Sequence, residues 1–349
     1  MVKKLLVIIF IINLGLNAQE SVKPNIVMVI GDGMGLSAIS SGMYSNNNYT
    51  SLERSEFIGL SKTHSYDNLI TDSAASATAM SSGVKTLNKV IGLDSEYNSV
   101  KTILEICMEL GYSTGIVVTS SIVHASPASY YAKEKSRYNY NEIAHQLSKK
   151  GINFFVGGGE KYFNDRPDGI DLTNEMKEYF FAKNLDEYMN NKSDKIGFFT
   201  SYDEPIEKHK GREPSLEEIV EITISKLEAI NSPFFLLIEG SQIDWGSHDN
   251  DQPHMISEMI ELDNTIEKIF DFAEKNKNTV VVITADHETG GLAITGGNLN
   301  KSSVVTRYVS GSHTGTMVPV FSYGPNSSYF KGIYDNTEIF NKLLSIVKQ

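Results

Sequence analysis

The stretch NIVMVIGDGMG (25–35) decides the fold. Its opening, NIVMVI (25–30), carries five apolar side chains in an unbroken run, with no polar–apolar alternation. A strand with one wet face alternates, whereas a continuous Val/Ile run suits a strand buried on both faces. Gly31, Gly33 and Gly35 around Asp32 then permit a tight turn. Similar runs recur at TGIVVTS (114–120), INFFVG (152–157), FFLLIEG (234–240), TVVVITA (279–285) and VPVFSYG (318–324). Helical patterns lie between them: SVKTILEICMEL (99–110), YNEIAHQLSKK (140–150), SLEEIVEITISKLEAI (215–230), ISEMIELDNTIEKIFDFAEK (256–275) and NTEIFNKLLSIVK (336–348). Buried runs joined by helices indicate an α/β fold, a mostly parallel central β-sheet flanked by helices on both faces. No repeat, linker or composition break divides the chain, so residues 19–349 read as one domain. Within it, the polar, Asn-rich stretch 158–200 reads as an insertion.

In an open parallel sheet, ligands gather beyond the carboxyl ends of the strands. Four runs end on an ionisable group: NIVMVIG on Asp32, FFLLI on Glu239, TVVVITA on Asp286-His287, and TGIVVTSSIV on His124. One such ending is ordinary loop chemistry; four imply a site.

The opening MVKKLLVIIFIINLGLNAQE (1–20) places Lys3 and Lys4 before an apolar run that closes on small residues near Ala18. That is the layout of a secretory signal peptide over 1–18. The run is short for a membrane span, and no later segment is apolar enough to be one. The expected location is exported: the periplasm if the host has two membranes, secreted otherwise. The single cysteine, Cys107, excludes an internal disulfide and sits in a helical pattern that suggests a packed core position. The formal charge is −12, with no basic run to bind nucleic acid. Such a chain repels phosphate esters unless its carboxylates hold cations.

Each candidate residue also has an ordinary reading. In TDSAASATAM (71–80), Ser73 follows Asp72 where a loop gives way to a helix, and taken alone a helix cap is the commoner reading than a nucleophile. Asp32 is as readily a turn cap. Asp244 and His248 in IEGSQIDWGSH are four apart, so one helical turn lets both grip a single cation. Glu239, at the end of the buried run FFLLI, needs a partner wherever it lies. Asp286-His287 could be a satisfied loop pair, and His313 in SGSHTGTMVPVFSYGP a plain loop histidine. Arg137 is either exposed or a clamp for two phosphoryl oxygens. His64, His145, His209 and His254 stand in polar contexts with no evident acid partner and are left aside.

Taken together, the ordered blocks IGDGMG, TDSAASATAM, HASPASYYAKEKSR, IEGSQIDWGSH, TADHETGG and SHTGTMVPVFSYGP resemble those of the alkaline phosphatases, across nearly the whole mature chain. The resemblance implies a phosphomonoesterase acting through a covalent phosphoserine at Ser73, with Arg137 clamping the phosphate. It implies two zinc ions, one held by Asp244, His248 and His313, the other by Asp32, Asp286 and His287. A third metal, usually magnesium, would take Asp32, Glu239 and the Ser126 hydroxyl, with His124 where some bacterial members have Asp. Trp245 replaces the basic or histidine residue that many relatives place near the phosphate. Small-molecule phosphate monoesters are the implied substrates, and the family's common dimer leaves a homodimer open. The rival readings are a phosphodiesterase or other ester hydrolase of the same superfamily, and a non-catalytic protein that binds zinc or phosphate.

Overall fold

In a computed structural model of the protein, which describes residues 23–349, the opening run forms β1 (Asn25–Gly31), a strand buried along its whole length. The signal-peptide reading at 1–18 lies outside the described residues. In chain order, the other strands are β2 (Phe57–Lys62), β3 (Ser113–Ser121), β4 (Phe154–Gly158), β5 (Phe180–Ala182), β6 (Ile196–Phe199) and β7 (Phe234–Gly240). They continue with β8 (Thr279–Thr284), β9 (Glu288–Thr289), β10 (Ala293–Asn298), β11 (Ser303–Arg307), β12 (His313–Thr314), β13 (Val318–Tyr323) and β14 (Gly332–Asp335). Ten of these make one sheet in the order β14-β2-β13-β8-β1-β7-β3-β4-β6-β5. Every strand of that sheet points the same way except β13, which pairs antiparallel with both β8 and β2.

The expected mostly parallel sheet is therefore present, and the period-2 geometry of its strands builds two cores. Ile26, Met28 and Ile30 project to one face and Val27 and Val29 to the other. The first face is covered by Ala74, Ala77 and Met80 of the helix Ser73–Ser82 and by Ile339 and Leu343 of the helix Thr337–Val347. The second is covered by Met255, Met259, Leu262 and Ile266 of the helix Gln252–Asn276. Full burial contributes roughly 1.5–3 kcal/mol per large apolar side chain, so these layers dominate the stability. Helix starts follow local chemistry: Ser215 and Glu218 close a capping box at the head of Leu216–Ala229, and Thr102 and Glu105 do so at Ile103–Glu109.

Residues 158–200 carry β5 and β6, which extend the sheet beyond β4. Short strands with weak periodicity, together with β2 and β14, are absent from the sequence reading because neighbours rather than propensity make them strands. No helix among the described residues is long and apolar enough to cross a membrane.

The long helix Gln252–Asn276 also carries a buried ionic cluster. Arg212 donates from Nη1 to Glu258 Oε1 at 2.9 Å and from Nη2 to both Glu258 and Glu261. Lys208 Nζ lies 3.2 Å from Glu261 Oε1, and the Leu216 amide donates to the same oxygen. His254, set aside above for want of an evident acid partner, is buried in this cluster, 3.6 Å from Glu258 Oε1 four residues on. The helix repeat supplies the acid partner that the local sequence context concealed.

Arg212→Met should strand two buried carboxylates, and breaking a buried charge group costs about 3–5 kcal/mol. Lys101→Ala, at the exposed Lys101–Glu109 pair, should cost less than about 1 kcal/mol. Urea or thermal unfolding measures both, and a parent-like midpoint for Arg212→Met would refute the role given to the cluster.

Candidate active site

The four strands whose ends carry ionisable groups are neighbours, in the order β8-β1-β7-β3. Their register aligns Ile30 with Glu239 on one side and with Thr284 on the other, and Val118 with Glu239. Asp32, Glu239 and Asp286 therefore emerge side by side at one edge. Beyond β3 the chain turns through Ile122 and Val123 to His124, which heads the helix Ala125–Tyr131 containing Ser126. After β7, the helix Gln242–His248 sets Asp244 and His248 on one face. The β9–β12 ladder pairs His313 with Thr289, bringing that distant histidine beside Asp286-His287. Ser73 opens the helix Ser73–Ser82, with Asp72 as its cap accepting the Ala75 amide at 3.0 Å. Ser73 Oγ lies 3.4 Å from His287 Nε2.

Three groups of side chains could each hold a metal ion: Asp244, His248 and His313; Asp32, Asp244 and His287; and Asp32, His124 and Glu239. In the first, His248 Nε2 is 3.3 Å from Asp244 Oδ2 and 3.0 Å from His313 Nε2. The opposite ring nitrogens are tied to backbone carbonyls, His248 Nδ1 to Gly311 at 2.9 Å and His313 Nδ1 to Thr71 at 2.8 Å. A proton held at Nδ1 leaves the Nε2 lone pair free for a cation. In the second group, His287 Nε2 is 3.5 Å from Asp32 Oδ1 and 3.1 Å from Asp286 Oδ2, so Asp286 faces the same point. In the third, Glu239 Oε2 accepts from Ser241 Oγ at 2.6 Å while Oε1 has no partner. The buried Ser126 hydroxyl lies close enough to favour the ionised form of Glu239, outside hydrogen-bond geometry.

Burial, reinforced by Asp286, Asp244 and Glu239, pushes the Asp32 carboxyl well above the usual carboxylate range. Burial also pushes Glu239 up to about 7. Burial opposes charge on Asp244 too, but the His248 hydrogen bond and neighbouring His287 and His313 hold its carboxyl well below the ordinary value. His248 rises to about 9 through its hydrogen bond to Asp244. Burial and Arg137 depress His124 to about 3, which keeps the ring neutral.

Arg137 reaches this group from beyond the HAS segment. Its Nη1 lies 3.1 Å from Asp72 Oδ2 and its Nη2 3.2 Å from His124 Nε2, while its backbone amide donates to the Lys89 carbonyl at 2.8 Å. Trp245 stands beside Asp244 and meets His124 edge-on, ring centroids 5.9 Å apart. All twelve side chains singled out from the sequence thus converge on one end of the sheet. Two further participants escaped the sequence reading. Asp72, which caps the helix where the sequence suggested Ser73, also orients Arg137. Thr289 shares its hydroxyl between Asp244 Oδ1 and His287 Nδ1, a contact that no spacing in the sequence announces. Gly33 shows how closely these parts pack: at φ +70, an added Cβ would come within 2.8 Å of Thr289 Oγ1 and 2.9 Å of Asp244.

Residues 23–308 match the family model described as alkaline phosphatase. "Alkaline phosphatase 3" of Bacillus subtilis is 34% identical, over 92% of this chain and 88% of its own length. The repressible alkaline phosphatase of Saccharomyces cerevisiae is 32% identical over 79% of this chain and 57% of its own. Among solved structures, the alkaline phosphatase of the Antarctic bacterium TAB5 superposes with a TM-score of 0.88 at 38% identity, covering 93% of this chain and 98% of that one. With the family model matched over residues 23–308 and these relatives covering most of the chain, the chain belongs to the alkaline phosphatase family and is a phosphomonoesterase.

Proposed function

We propose that this enzyme is exported and hydrolyses small phosphate monoesters through a covalent phosphoserine at Ser73, with two zinc ions and one magnesium ion. The observation that carries the reading is a set of buried polar atoms without hydrogen-bond partners beside Ser73: both carboxylate oxygens of Asp32, Glu239 Oε1, Asp286 Oδ2, Ser126 Oγ and His124 Nδ1. Orphaned buried acceptors on this scale are costly in a folded protein unless cations meet them. The donor types fit. Asp244, His248 and His313 would hold one zinc and Asp32, Asp286 and His287 the other, since imidazole with carboxylate suits zinc. Asp32, Glu239 and Ser126 form an oxygen set that suits magnesium, with His124 at its side. Two solved variants of the TAB5 enzyme, with one histidine replaced by Glu or by Asp, are described with Mg bound in a site called M3. That supports a third cation position in this chain.

Bound cations would lower the pKa of oxygen nucleophiles and stabilise charge on the attacking and leaving oxygens. The protein's own groups do the rest. Arg137 has five donors in a planar fork; Asp72 and His124 hold it in place, and its remaining donors bind two phosphoryl oxygens. Ser73 Oγ attacks phosphorus in line with the ester oxygen: the Oγ–P bond forms, the P–O bond breaks and the alcohol leaves. Water then attacks the phosphoserine, inorganic phosphate departs, and Ser73 recovers its hydroxyl. The start of the Ser73–Ser82 helix favours the phosphate dianion through its exposed amides and dipole. Trp245 is assigned to substrate contact. The amino-terminal pattern supports export.

Ser73→Ala should lose nearly all turnover while keeping its metal content, and labelled substrate should leave no phosphoserine; near-parent turnover would remove Ser73 from this role. Metal analysis of the purified enzyme should find zinc and magnesium near two to one, and a strong chelator should abolish activity and lower the melting temperature. Chelator-insensitive hydrolysis would overturn the metal assignment. On a panel of monoester, diester and sulfate ester, the monoester should turn over fastest by orders of magnitude, and a preference for either other ester would favour a sister activity of the superfamily.

A further inference from the structure

The carboxyl-terminal segment reaches the active site through hydrogen bonds that none of the assigned roles uses. Asn336 sits between β14 and the helix Thr337–Val347, and its side chain is 1% exposed. Its Nδ2 donates to Ser76 Oγ at 3.1 Å. Ser76 lies one turn after Ser73 in the same helix, and its Oγ donates to the Asp286 carbonyl at 2.7 Å. On the other side, Lys85 Nζ donates to Asn336 Oδ1 at 2.7 Å, and also meets Asp335 Oδ1 at 3.0 Å and the His64 carbonyl. The Asn336 amide donates to the Lys62 carbonyl at 3.1 Å, which locks the residue to the end of β2.

We infer that Asn336 and Ser76 are positioning residues, setting the depth and rotation of the nucleophile helix against the end of β8 so that Ser73 Oγ meets the Asp286-His287 edge. The donors run in one direction, Lys85 to Asn336, Asn336 to Ser76, Ser76 to Asp286. The Ser76 hydroxyl has a single proton; because Asn336 occupies its acceptor side, that proton is directed to the Asp286 carbonyl. Bonds aligned this way in a dry interior reinforce one another. The whole helix is buried: Met80 anchors its far end in the apolar core, and Thr78 and Ser81 bond to Gly92 and Ser129, whereas the turn that carries Ser73 packs through the small side chains of Ala74, Ala75 and Ala77. At that end Ser76 supplies the hydrogen bond to the end of β8 and Asp72 the cap. Asp286 is fixed from the opposite side, its Oδ1 accepting from the Gly33 amide at 3.1 Å and the His287 amide at 2.9 Å. Ser76 ties the helix directly to this fixed point.

The inference rests on the reading of Ser73 as nucleophile, and one panel separates the two. Asn336→Asp retains an acceptor for Lys85 but loses the donor to Ser76, drawing the hydroxyl proton away from Asp286. Displacing reacting atoms by about 1 Å can cost on the order of 10²-fold in rate, so kcat should fall by about tenfold or more, with KM within about twofold. Phosphoserine formation in a single turnover should slow equally, while melting temperature and zinc content stay near the parent. Ser76→Ala should behave alike, and the double variant should be no slower than the slower single. Parent-like kcat in Asn336→Asp, losses that multiply in the double variant, or a rate loss matched by lost metal or lost stability would each overturn the positioning role. A Ser73→Ala protein that still turns over would overturn the nucleophile reading instead.

Discussion

Everything in this site follows from packing like charges where water cannot reach them. Asp32, Glu239 and Asp286 are fully buried at the ends of adjacent strands, with Asp244 close by. Arg137 alone cannot neutralise four carboxylates, and an anionic substrate would add to the repulsion. Burial first, and neighbouring carboxylates next, push the carboxyls of Asp32 and Glu239 upward. The divalent ions proposed for this site would answer that constraint. They would also let a chain with a formal charge of −12 attract phosphate, the acidic residues being the means by which a positive centre would be built.

The same constraint accounts for the supporting shell. Side chains that could hold a cation are useful only if their lone pairs point at one place, and here carbonyls and hydroxyls do the pointing. Gly311 and Thr71 carbonyls turn two imidazoles, Thr289 bridges Asp244 and His287, and Ser241 steadies Glu239. Asp72 serves twice, capping the Ser73–Ser82 helix and holding Arg137. A single residue thus couples the start of the Ser73–Ser82 helix to the Arg137 guanidinium.

Much of this was legible in the chain. The unbroken run at 25–30 and its counterparts announced a sheet buried on both faces, and the polar residue closing each run announced the site. The ordered blocks identified the family because each block specifies residue types that the same chemistry requires. The antiparallel direction of β13 was not legible, since a buried strand reads alike in either direction. Nor were β5, β6 and β14, whose short segments become strands only through their neighbours. The acid partner of His254 was missed because it lies one helical turn ahead, at Glu258, within a polar segment.

Residue chemistry and one-dimensional order therefore determined the fold class, the nucleophile candidate and the donor types, because those depend on periodicity and on the side chains themselves. Tertiary structure alone decided that β8, β1, β7 and β3 are neighbours, and hence that Asp32, Glu239, Asp286 and His124 meet. It alone brought His313 to Asp244 and Asn336 to Ser76, across 69 and 260 positions of chain. Contacts at such separation depend on strand order and register, which are set by how whole faces pack and leave no mark in any local stretch.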